Sequence, residues 1–500
     1  MNNAKSVKAA PSQRPKNGKR NGFPALGKLY YKITLKLVSP LIIGCGEDER
    51  SEVDVIRDPV NGHPLIPATS LIGLFSSYLE ESLEKLLITN EKLRYNYLSL
   101  FGFRERDIIK IPASWKNENA LPQYQSALQC YDVILEKYGI PVLRDGVQIN
   151  QVTGATEDQR KYNYEVVEGN HPFSIELEIT LRKDFNKSLF QKMLHTLFLG
   201  IKNGDIRLGA KTNKGFGNIE LVQVESAALD FKEPAQVYQW ISGEYPYSTL
   251  TDLNTLPHFE VENRKFTIDA WFKIRNSFLI KEYADESGDV DARHIEQNSR
   301  LVLPGTSVMG AMQHQARKIM HLILSNPEKV PAKMDQLFGF VNEKESDSNK
   351  KAGKGHLLVE ETIIDQTKLA KKMQTRIKVD RFTGGVVSGA LFTFEPLWQM
   401  GNHQAVQIKM MFDGDSQVAW APGLLILLLK DLWYGDLPIG GEKNIGRGSL
   451  QGVTAEIFEG DRKIADLKPD ENGGIAEAEK CTRLQEYITK LWEELGNGKK

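Results

Sequence analysis

The stretch Leu65-Ile-Pro-Ala-Thr-Ser-Leu-Ile-Gly73 is repeated as Val302-Leu-Pro-Gly-Thr-Ser-Val-Met-Gly310, and the two stretches lie 237 residues apart. The same offset aligns residues 29–103 with residues 266–340 without a gap. The matches are clustered and fall mostly on non-aliphatic residues, where chance identities are improbable. Similarity at a fixed spacing indicates a repeated structural unit. The chain is therefore predicted to be a tandem duplication.

A second block of matches lies near the end of each copy. Asp205, Gly209, Asn213, Gly215 and Gly217 match Asp436, Gly440, Asn444, Gly446 and Gly448. Together the two blocks place a first domain at 29–225 and a second at 262–458, with a linker at 226–261 between them. A tail (1–28) and a C-terminal extension that contains a helix (459–500) complete the predicted organisation.

Both copies show the same order of predicted elements. Tyr31, Ile33, Leu35 and Leu37 alternate with polar residues, which is the period of a half-buried strand. A helical pattern follows each Pro-Ala/Gly-Thr-Ser segment. Later strands are predicted at 173–181 and 404–411, and later helices at 189–199 and 424–433. The order predicts an α+β fold of the ferredoxin-like βαββαβ type, in which helices cover one face of a sheet.

Composition restricts the class of protein. The chain has 500 residues, with 64 Lys and Arg against 65 Asp and Glu, and 41% of its residues are hydrophobic. This composition excludes a wholly disordered chain. No apolar run reaches the roughly 18 residues of a membrane helix, so no membrane partner is expected. Three scattered cysteines form no disulfide framework, and the N-terminus has no signal-peptide pattern, so the expected location is the cytoplasm.

The first 28 residues have a composition of their own. They carry seven basic side chains and no acidic one, together with Asn, Gly and Pro. The segment is predicted to be a disordered basic tail. Such a tail either attracts phosphate loosely or serves only solubility.

Two glycine-rich segments, 208–217 and 439–448, are the first candidate phosphate contacts. Glycine lets a backbone approach a phosphate closely, and each segment also carries basic side chains. The candidate RNA-binding residues here are Gly209, Lys211, Lys214, Gly215, Gly217, Gly440, Lys443, Gly446, Arg447 and Gly448. The alternative is a tight structural connection between a helix and the last strand.

The hydroxyl pairs before the first helix of each copy are a weaker candidate. Thr69 and Ser70, and Thr306 and Ser307, are expected to cap these helices, whose N-termini attract anions. Ordinary capping without any anion is the alternative.

Two acidic segments, 47–54 and 284–291, align between the copies. Carboxylates beside a phosphate-binding surface are unfavourable unless they hold a divalent cation or move a proton. They are therefore candidate RNA-cleavage residues, although any single one can be a solvated loop residue. The histidines contain no HExxH motif and none recurs between the copies, so neither zinc nor a histidine-based mechanism is predicted.

Three features together resemble the RAMP superfamily. The first motif of this superfamily, as found in the backbone subunits of type III CRISPR effector complexes, is similar to Val55-Ile-Arg-Asp-Pro59 followed by residues 65–73. Asp380-Arg-Phe-Thr-Gly-Gly385, followed by Gly389-Ala-Leu-Phe392, is similar to the mid-domain motif. The glycine segments resemble the C-terminal signature. The likeness covers nearly all of 29–458 and is closest to the tandem-fused backbone subunits.

The resemblance implies a modified RNA-recognition (RRM-like) fold that binds a guide RNA (crRNA) alongside other subunits of a ribonucleoprotein. In each unit a hairpin displaces one nucleotide, and a loop aspartate cuts target RNA with Mg²⁺ or Mn²⁺. Two units imply two cuts about six nucleotides apart in a duplex that is read by base pairing. Arg381 and Phe382 lie in the mid-domain motif, whereas the first copy has Asn150-Gln-Val-Thr153 there.

The catalytic position is not fixed by the resemblance. The family register gives Glu52 and Asp289, and the first of these departs from the family's aspartate. A two-residue slip gives Asp54 and Asp291, which are identical between the copies. Asp54 and Asp291 are the preferred catalytic and metal-binding residues, with Glu52 and Asp289 as the alternatives.

Two other functions compete with a guide-binding subunit that cleaves RNA. One is a structural crRNA-binding scaffold whose acidic loops have no chemical role. The other is a repeat-RNA processing endonuclease of the same superfamily, which ranks last because such enzymes are generally single units with one glycine loop.

Overall fold

Apolar side chains at alternate positions place two strands, Gly27–Leu37 and Phe266–Ile274, at the centres of two sheets. The structure is a computed structural model. It describes residues 24–44, 55–102, 125–138, 141–149, 156–283, 290–324, 326–341, 352–476 and 481–496.

The elements follow one another in a similar order in the two halves. Up to residue 249 they are β1 (Gly27–Leu37), β2 (Leu65–Ile66), α1 (Ala68–Ser82), α2 (Glu84–Thr89), α3 (Glu91–Phe101), β3 (Leu128–Cys130), β4 (Val133–Ile134), β5 (Val142–Ile149), β6 (Thr156–Val166), β7 (Pro172–Leu181), α4 (Lys187–Lys202), β8 (Ile219–Asp230), α5 (Pro234–Ser242) and β9 (Ser248–Thr249). From residue 266 they are β10 (Phe266–Ile274), β11 (Ser277–Phe278), β12 (Lys281–Tyr283), β13 (Ala292–His294), β14 (Glu296–Gln297), β15 (Arg300–Leu303), α6 (Gly305–Ile323), α7 (Val330–Phe338), β16 (Gly339–Val341), β17 (Ala352–Lys354), β18 (Leu357–Val359), β19 (Thr362–Ile363), β20 (Leu369–Lys371), β21 (Gln374–Val379), β22 (Val386–Glu395), β23 (Leu397–Gln399), β24 (Val406–Phe412), α8 (Ala421–Tyr434), β25 (Leu450–Glu459), β26 (Arg462–Leu467) and α9 (Thr482–Leu495).

The two main sheets have matching strand orders. The first is β3-β7-β1-β8-β9 and the second is β18-β24-β10-β25-β26, and neighbouring strands are antiparallel. The pairing register shifts after Thr34 in the first sheet and after Trp271 in the second. These residues correspond at the repeat offset of 237. The copies therefore share even a local irregularity, which confirms the duplication.

Helices cover one face of each sheet, and the core lies between the two layers. In the first copy, Ile33 of β1 is fully buried in one apolar cluster with Phe75 of α1 and Phe198 of α4. In the second copy, Phe272 of β10 is buried with Leu428 of α8 in the same way. The architecture is mixed α and β, as predicted.

The segment predicted as a linker, 226–261, is partly regular. Strand β8 includes residues 226–230, because Ala227 and Leu229 are buried in a cluster with Tyr30. Helix α5 follows. The predicted basic tail lies mostly outside the described residues, and β1 already begins within it, at Gly27.

The predicted C-terminal helix is α9, and it packs against α8. Gly423 permits the close approach, since a Cβ at this position would lie 2.4 Å from the Tyr487 carbonyl oxygen. Leu484 and Leu491 of α9 are buried in the core of the second copy. Among the described residues, no helix is both long enough and apolar enough to cross a membrane.

His294 is fully buried in the second copy and is held by two hydrogen bonds. Its Nδ1 accepts from the Ile280 N–H at 3.2 Å, and its Nε2 donates to the Val302 carbonyl oxygen at 2.9 Å. Burial lowers the pKa of His294 to about 4. Because the unfolded chain has the ordinary histidine pKa near 6.5, it takes up a proton first as the pH falls.

We expect the drop from pH 7 to pH 4 to cost the folded state about 3 kcal/mol through His294, since one pKa unit is worth about 1.4 kcal/mol. The variant His294→Gln should be less stable at pH 7 but should lose less stability over this interval. Urea unfolding at a series of pH values measures both quantities. An unchanged pH slope in the variant would contradict a neutral, buried His294.

Candidate nucleic-acid interface

The two glycine loops, 208–217 and 439–448, have the same backbone conformation. Each contains one turn of 3-10 helix. Directly before that turn a non-glycine residue adopts the left-handed region, with φ of 54° at Lys211 and 57° at Glu442. The repeated sequence therefore produces a repeated loop geometry.

Four glycines of these loops are required by packing within the chain. A Cβ on Gly217 would lie 1.7 Å from a carbonyl oxygen at the other end of the same loop, and on Gly448 the distance would be 2.0 Å. At Gly209 and Gly440 the nearest carbonyl oxygens, from the segments that follow β1 and β10, would lie 2.2 and 2.4 Å away. Only glycine fits such close approaches. The fold itself therefore requires glycine at these four positions, whether or not the loops bind phosphate.

The second copy covers the first glycine loop. A Cβ on Gly215 would lie 2.3 Å from the backbone nitrogen of Glu361. Arg144 Nη1 lies 2.7 Å from Glu361 Oε2, and Arg207 Nη2 lies 2.7 Å from Glu360 Oε1. The side chains of Arg144 and Glu361 are only 4% and 3% exposed. This buried ion-pair contact joins the two copies.

The lysines of the first loop are partly buried behind this contact. Lys211 Nζ lies 3.6 Å from the ring centroid of Tyr164 and 5.1 Å from that of Tyr162. Burial, followed by the charge of Lys214, lowers the pKa of Lys211 to about 8. Burial also lowers the pKa of Lys214. The aromatic faces supply a favourable environment for the positive charge of Lys211.

The second glycine loop is open. Lys443 and Gly446 are exposed, and the nearest atom to a Cβ on Gly446 would be 3.5 Å away. Arg447 is buried instead, with its Nε 2.7 Å from Glu442 Oε2. Its guanidinium also donates to the Gln374 side chain at the start of β21. Arg447 therefore ties the second loop to the neighbouring hairpin.

The hairpin of β21 and β22 presents Arg381 and Phe382 at its tip. Asp380 Oδ1 accepts from the N–H groups of Phe382 at 3.0 Å and Thr383 at 2.8 Å, which shapes the turn. The hydrogen bonds from Thr383, followed by that from Phe382, lower the pKa of Asp380. Phe382 is 99% exposed. An exposed ring beside a guanidinium suits base stacking and phosphate contact.

The matching hairpin of the first copy is formed by β5 and β6. Its tip, 150–155, lies outside the described residues, and it includes the stretch that departs from the mid-domain motif.

The first helix of the first copy is not capped by a hydroxyl. Helix α1 begins at Ala68, and Pro67 at the N-cap position provides no side-chain bond. The Asp132 carboxylate accepts from the Ala68 N–H at 2.7 Å instead. Thr69 and Ser70 are exposed in the first turn. The capping prediction is wrong because proline occupies the cap position, while the contact of this turn with RNA stays a prediction.

The equivalent helix of the second copy is covered. Helix α6 begins at Gly305, with Pro304 at the N-cap position and no side-chain cap. A Cβ on Gly305 would lie 2.3 Å from the Lys214 carbonyl oxygen of the first glycine loop. Thr306 and Ser307 are half-buried as a result. The hydroxyl-cap prediction is wrong here too, and the turn faces the first copy.

Of the four predicted cleavage carboxylates, the described residues include Asp291 alone. Its N–H donates to the Thr393 carbonyl oxygen at 2.8 Å, and its Oδ2 accepts from the Thr393 N–H at 2.6 Å. Glu52, Asp54 and Asp289 lie outside the described residues. Asp291 therefore sits beside β22, at the root of the exposed hairpin.

The family model of the RAMP superfamily matches residues 34–220 and 258–451. The two matched ranges cover most of the chain and assign one unit to each copy. The chain belongs to the RAMP superfamily. RAMP proteins bind RNA and work in CRISPR complexes, and the superfamily covers crRNA-binding proteins. No curated protein matches the sequence.

The residues that join the two RAMP copies could not be found by comparing the repeats. At the offset of 231, Arg207 corresponds to Pro438. Glu360-Glu361 directly follows β18, whereas Tyr131-Asp132 follows the equivalent edge strand β3. The contact joins unlike surfaces, so its residues are those that the copies do not share. In the sequence, only the charge of these residues could have pointed to the contact. Charged residues are too common on protein surfaces for that to identify a contact.

Glu361→Gln should destabilise the protein by about 2 kcal/mol, because the buried Arg144 then keeps only the longer ion pair with Glu168 Oε1, at 3.4 Å. The matched control is Glu456→Gln, which breaks an ion pair with Lys463 whose side chains are each 45% exposed. That variant should cost less than about 1 kcal/mol. Urea unfolding of the whole chain measures both losses. Equal losses would show that the contact between the copies does not stabilise the fold.

Proposed function

We propose that this RAMP protein is a crRNA-binding backbone subunit of a type III CRISPR effector, and that it also cleaves complementary target RNA. Each copy would provide one metal-dependent site, with cuts about six nucleotides apart along a duplex read by base pairing. The observation that carries the proposal is the root of the second hairpin. There the last residue of an acidic segment, Asp291, lies against a strand whose tip exposes Arg381 and Phe382.

The fold supports this proposal. In each main sheet the central strand, β1 or β10, lies between the strands that precede and follow the last helix of the core. Together with the edge strand β3 or β18, these three strands have the order expected for a ferredoxin-like unit, as in RRM-like RNA-binding domains. We propose that both copies are units of this kind, with hairpins inserted before the second half of the core.

The hairpin tip supplies the chemistry for holding RNA. Stacking on Phe382 is independent of base identity, and Arg381 offers a charge to the phosphate backbone. A guide RNA varies in sequence, so contacts that tolerate any base are the kind that a backbone subunit requires.

The acidic segments supply the chemistry for cleavage. Carboxylate oxygens are the ligands that Mg²⁺ and Mn²⁺ prefer, and Mg²⁺ is often held by one or two carboxylates together with substrate phosphates. Within the described residues, no group of three His, Cys, Asp or Glu side chains could hold a metal ion. The proposed ligands are Asp54 and Asp291, with Glu52 and Asp289 as alternatives. A bound cation would stabilise the charge that develops on the scissile phosphate.

A non-catalytic crRNA scaffold is the second candidate. The observation in its favour is the hydrogen bond from the Thr393 N–H to Asp291, which gives this carboxylate a structural role without any chemistry. The two functions differ only in whether the assembled complex cuts RNA.

The double substitution of Arg381 and Phe382 by alanine should weaken binding of a guide RNA about tenfold or more, because stacking is worth about 1–3 kcal/mol per base. Leu322→Ala is the matched control, since Leu322 is an apolar residue that is 87% exposed at the end of α6. Filter binding to the full chain at several salt concentrations measures affinity and the number of phosphate contacts. Equal affinities of the two variants would contradict the role of the tip.

Replacing both candidate carboxylates of one copy should remove one of the two cuts and leave complex assembly intact. The pairs are Glu52→Gln with Asp54→Asn, and Asp289→Asn with Asp291→Asn. The cut made by the unchanged copy is the internal control, and EDTA should abolish both cuts. Product lengths on a labelled target RNA give the result. Two unchanged cuts in both variants would refute the assignment of the loops, whereas an uncut target with Mg²⁺ or Mn²⁺ would support the scaffold.

A further inference from the structure

In the second copy, one glutamate contacts two arginines between the open glycine loop and the hairpin. Glu442 Oε2 lies 2.7 Å from Arg447 Nε in the same loop, and Glu442 Oε1 lies 3.4 Å from Arg376 Nη1 of β21. The side chain of Glu442 is 16% exposed and that of Arg447 only 2%. Burial lowers the pKa of Arg447, the charge of Glu442 opposes this effect, and the charge of Arg376 adds to it. Glu442 is therefore the counter-ion of two neighbouring positive charges.

The remaining partners of the two arginines are neutral. Gln374 Oε1 accepts from Arg376 Nη2 at 2.8 Å and also accepts from the Arg447 guanidinium. Arg447 Nη1 donates to the Ser277 hydroxyl of β11 at 3.3 Å. Among the described residues, Glu442 is thus the one carboxylate that contacts either arginine. The contact between the hairpin and the loop therefore depends on its charge.

The strand pairing identifies the equivalent residues of the two hairpins. The pairing register shifts between Val147 and Ile149 in the first hairpin, and between Ile377 and Val379 in the second. These positions lie 230 residues apart. The two hairpins therefore correspond at an offset of 230.

The charged groups at this place are exchanged between the copies. At the offset of 230, the neutral Gln374 takes the place of Arg144. In the glycine loops, which align at 231, Glu442 takes the place of a lysine and Arg447 that of a phenylalanine. The first copy thus has its arginine on the hairpin and obtains the carboxylate of Glu361 from the second copy. The second copy has both groups in its own loop.

We infer that Glu442 is a positioning residue that holds the second hairpin against the open glycine loop. It does within one copy what Glu361 does between the two copies. The inference rests on the proposed function, in which the hairpin tip holds a guide RNA, and Glu442 acts through the tip residues Arg381 and Phe382. A carboxylate repels phosphate, so a contribution of Glu442 to RNA binding has to come from the position of the hairpin.

The test is the affinity of the full chain for a guide RNA. Glu442→Gln removes the charge that the two arginines share, so binding should weaken about threefold or more, up to the loss caused by removing the tip. Loss of a carboxylate that only repels RNA would strengthen binding instead. The matched control is Glu282→Gln, which breaks a contact with Arg293 at the opposite edge of the same sheet. The control should bind RNA as tightly as the unmodified chain.

Combination with the tip substitutions separates positioning from a direct effect on RNA. In a chain that already carries Arg381→Ala and Phe382→Ala, Glu442→Gln should cause no further loss of affinity, because no tip is left to position. A further loss of the same size in that chain would overturn the inference. Unchanged or stronger binding by the single variant Glu442→Gln would overturn it as well.

A second measurement separates this inference from the proposed function. Amide hydrogen exchange of β21 and β22 in the full chain reports on the hairpin without any RNA. Exchange should be faster in Glu442→Gln and in Arg376→Gln, which removes the other side of the contact, and unchanged in Glu282→Gln. If the unmodified chain binds no guide RNA, the proposed function fails, while faster exchange still supports the hairpin contact. Equal exchange in the unmodified chain and all three variants would refute that contact.

Discussion

The arrangement of the two RAMP copies depends on a pair of buried arginine–glutamate contacts. Arg144 meets Glu361 through two nitrogens, at 2.7 and 3.2 Å, and Arg207 meets Glu360 at 2.7 Å. A guanidinium and a carboxylate that face each other in this way add geometric specificity to the contact. Arrangements that bury these charges without a partner are penalised. The contact therefore disfavours arrangements of the two copies in which these side chains do not meet.

The duplicated elements have acquired different surroundings in the two copies. The glycine loops share their backbone geometry, yet Gly215 lies under the second copy and Gly446 is exposed. The first turn of α1 is likewise exposed, whereas the first turn of α6 is covered by the first glycine loop. Each repeated sequence element therefore has the same role in the fold of both copies, but a ligand can reach it in only one copy. The fold requirement explains why the glycines recur, and exposure decides what each copy can contact.

Much of the fold could be predicted because its determinants are local. The alternation of Tyr31, Ile33, Leu35 and Leu37 correctly predicted β1, Gly27–Leu37, and the helix predicted at 189–199 extends only a few residues further, over Lys187–Lys202. The predicted caps failed because proline occupies the cap position of both helices. The bond from the Ala68 N–H to Asp132 and the contact between the copies were missed because each joins residues that are distant in sequence. In the candidate site, the mid-domain motif was enough to predict Arg381 and Phe382. The hydrogen bond between Asp291 and Thr393 could not be predicted, because it depends on which strands pair.

The covered first loop and the open second loop give this two-copy body a polarity. The surface around Gly446 has the backbone shape of the surface that already accepts residues 359–361, but Ile445 stands where the first loop has Lys214. The exposed start of α1 offers a different surface, preceded by proline and with Asp132 accepting its first N–H. A neighbour that binds the open loop therefore meets different chemistry from a neighbour that binds the start of α1. An assembly that uses both of these unlike surfaces has a fixed direction.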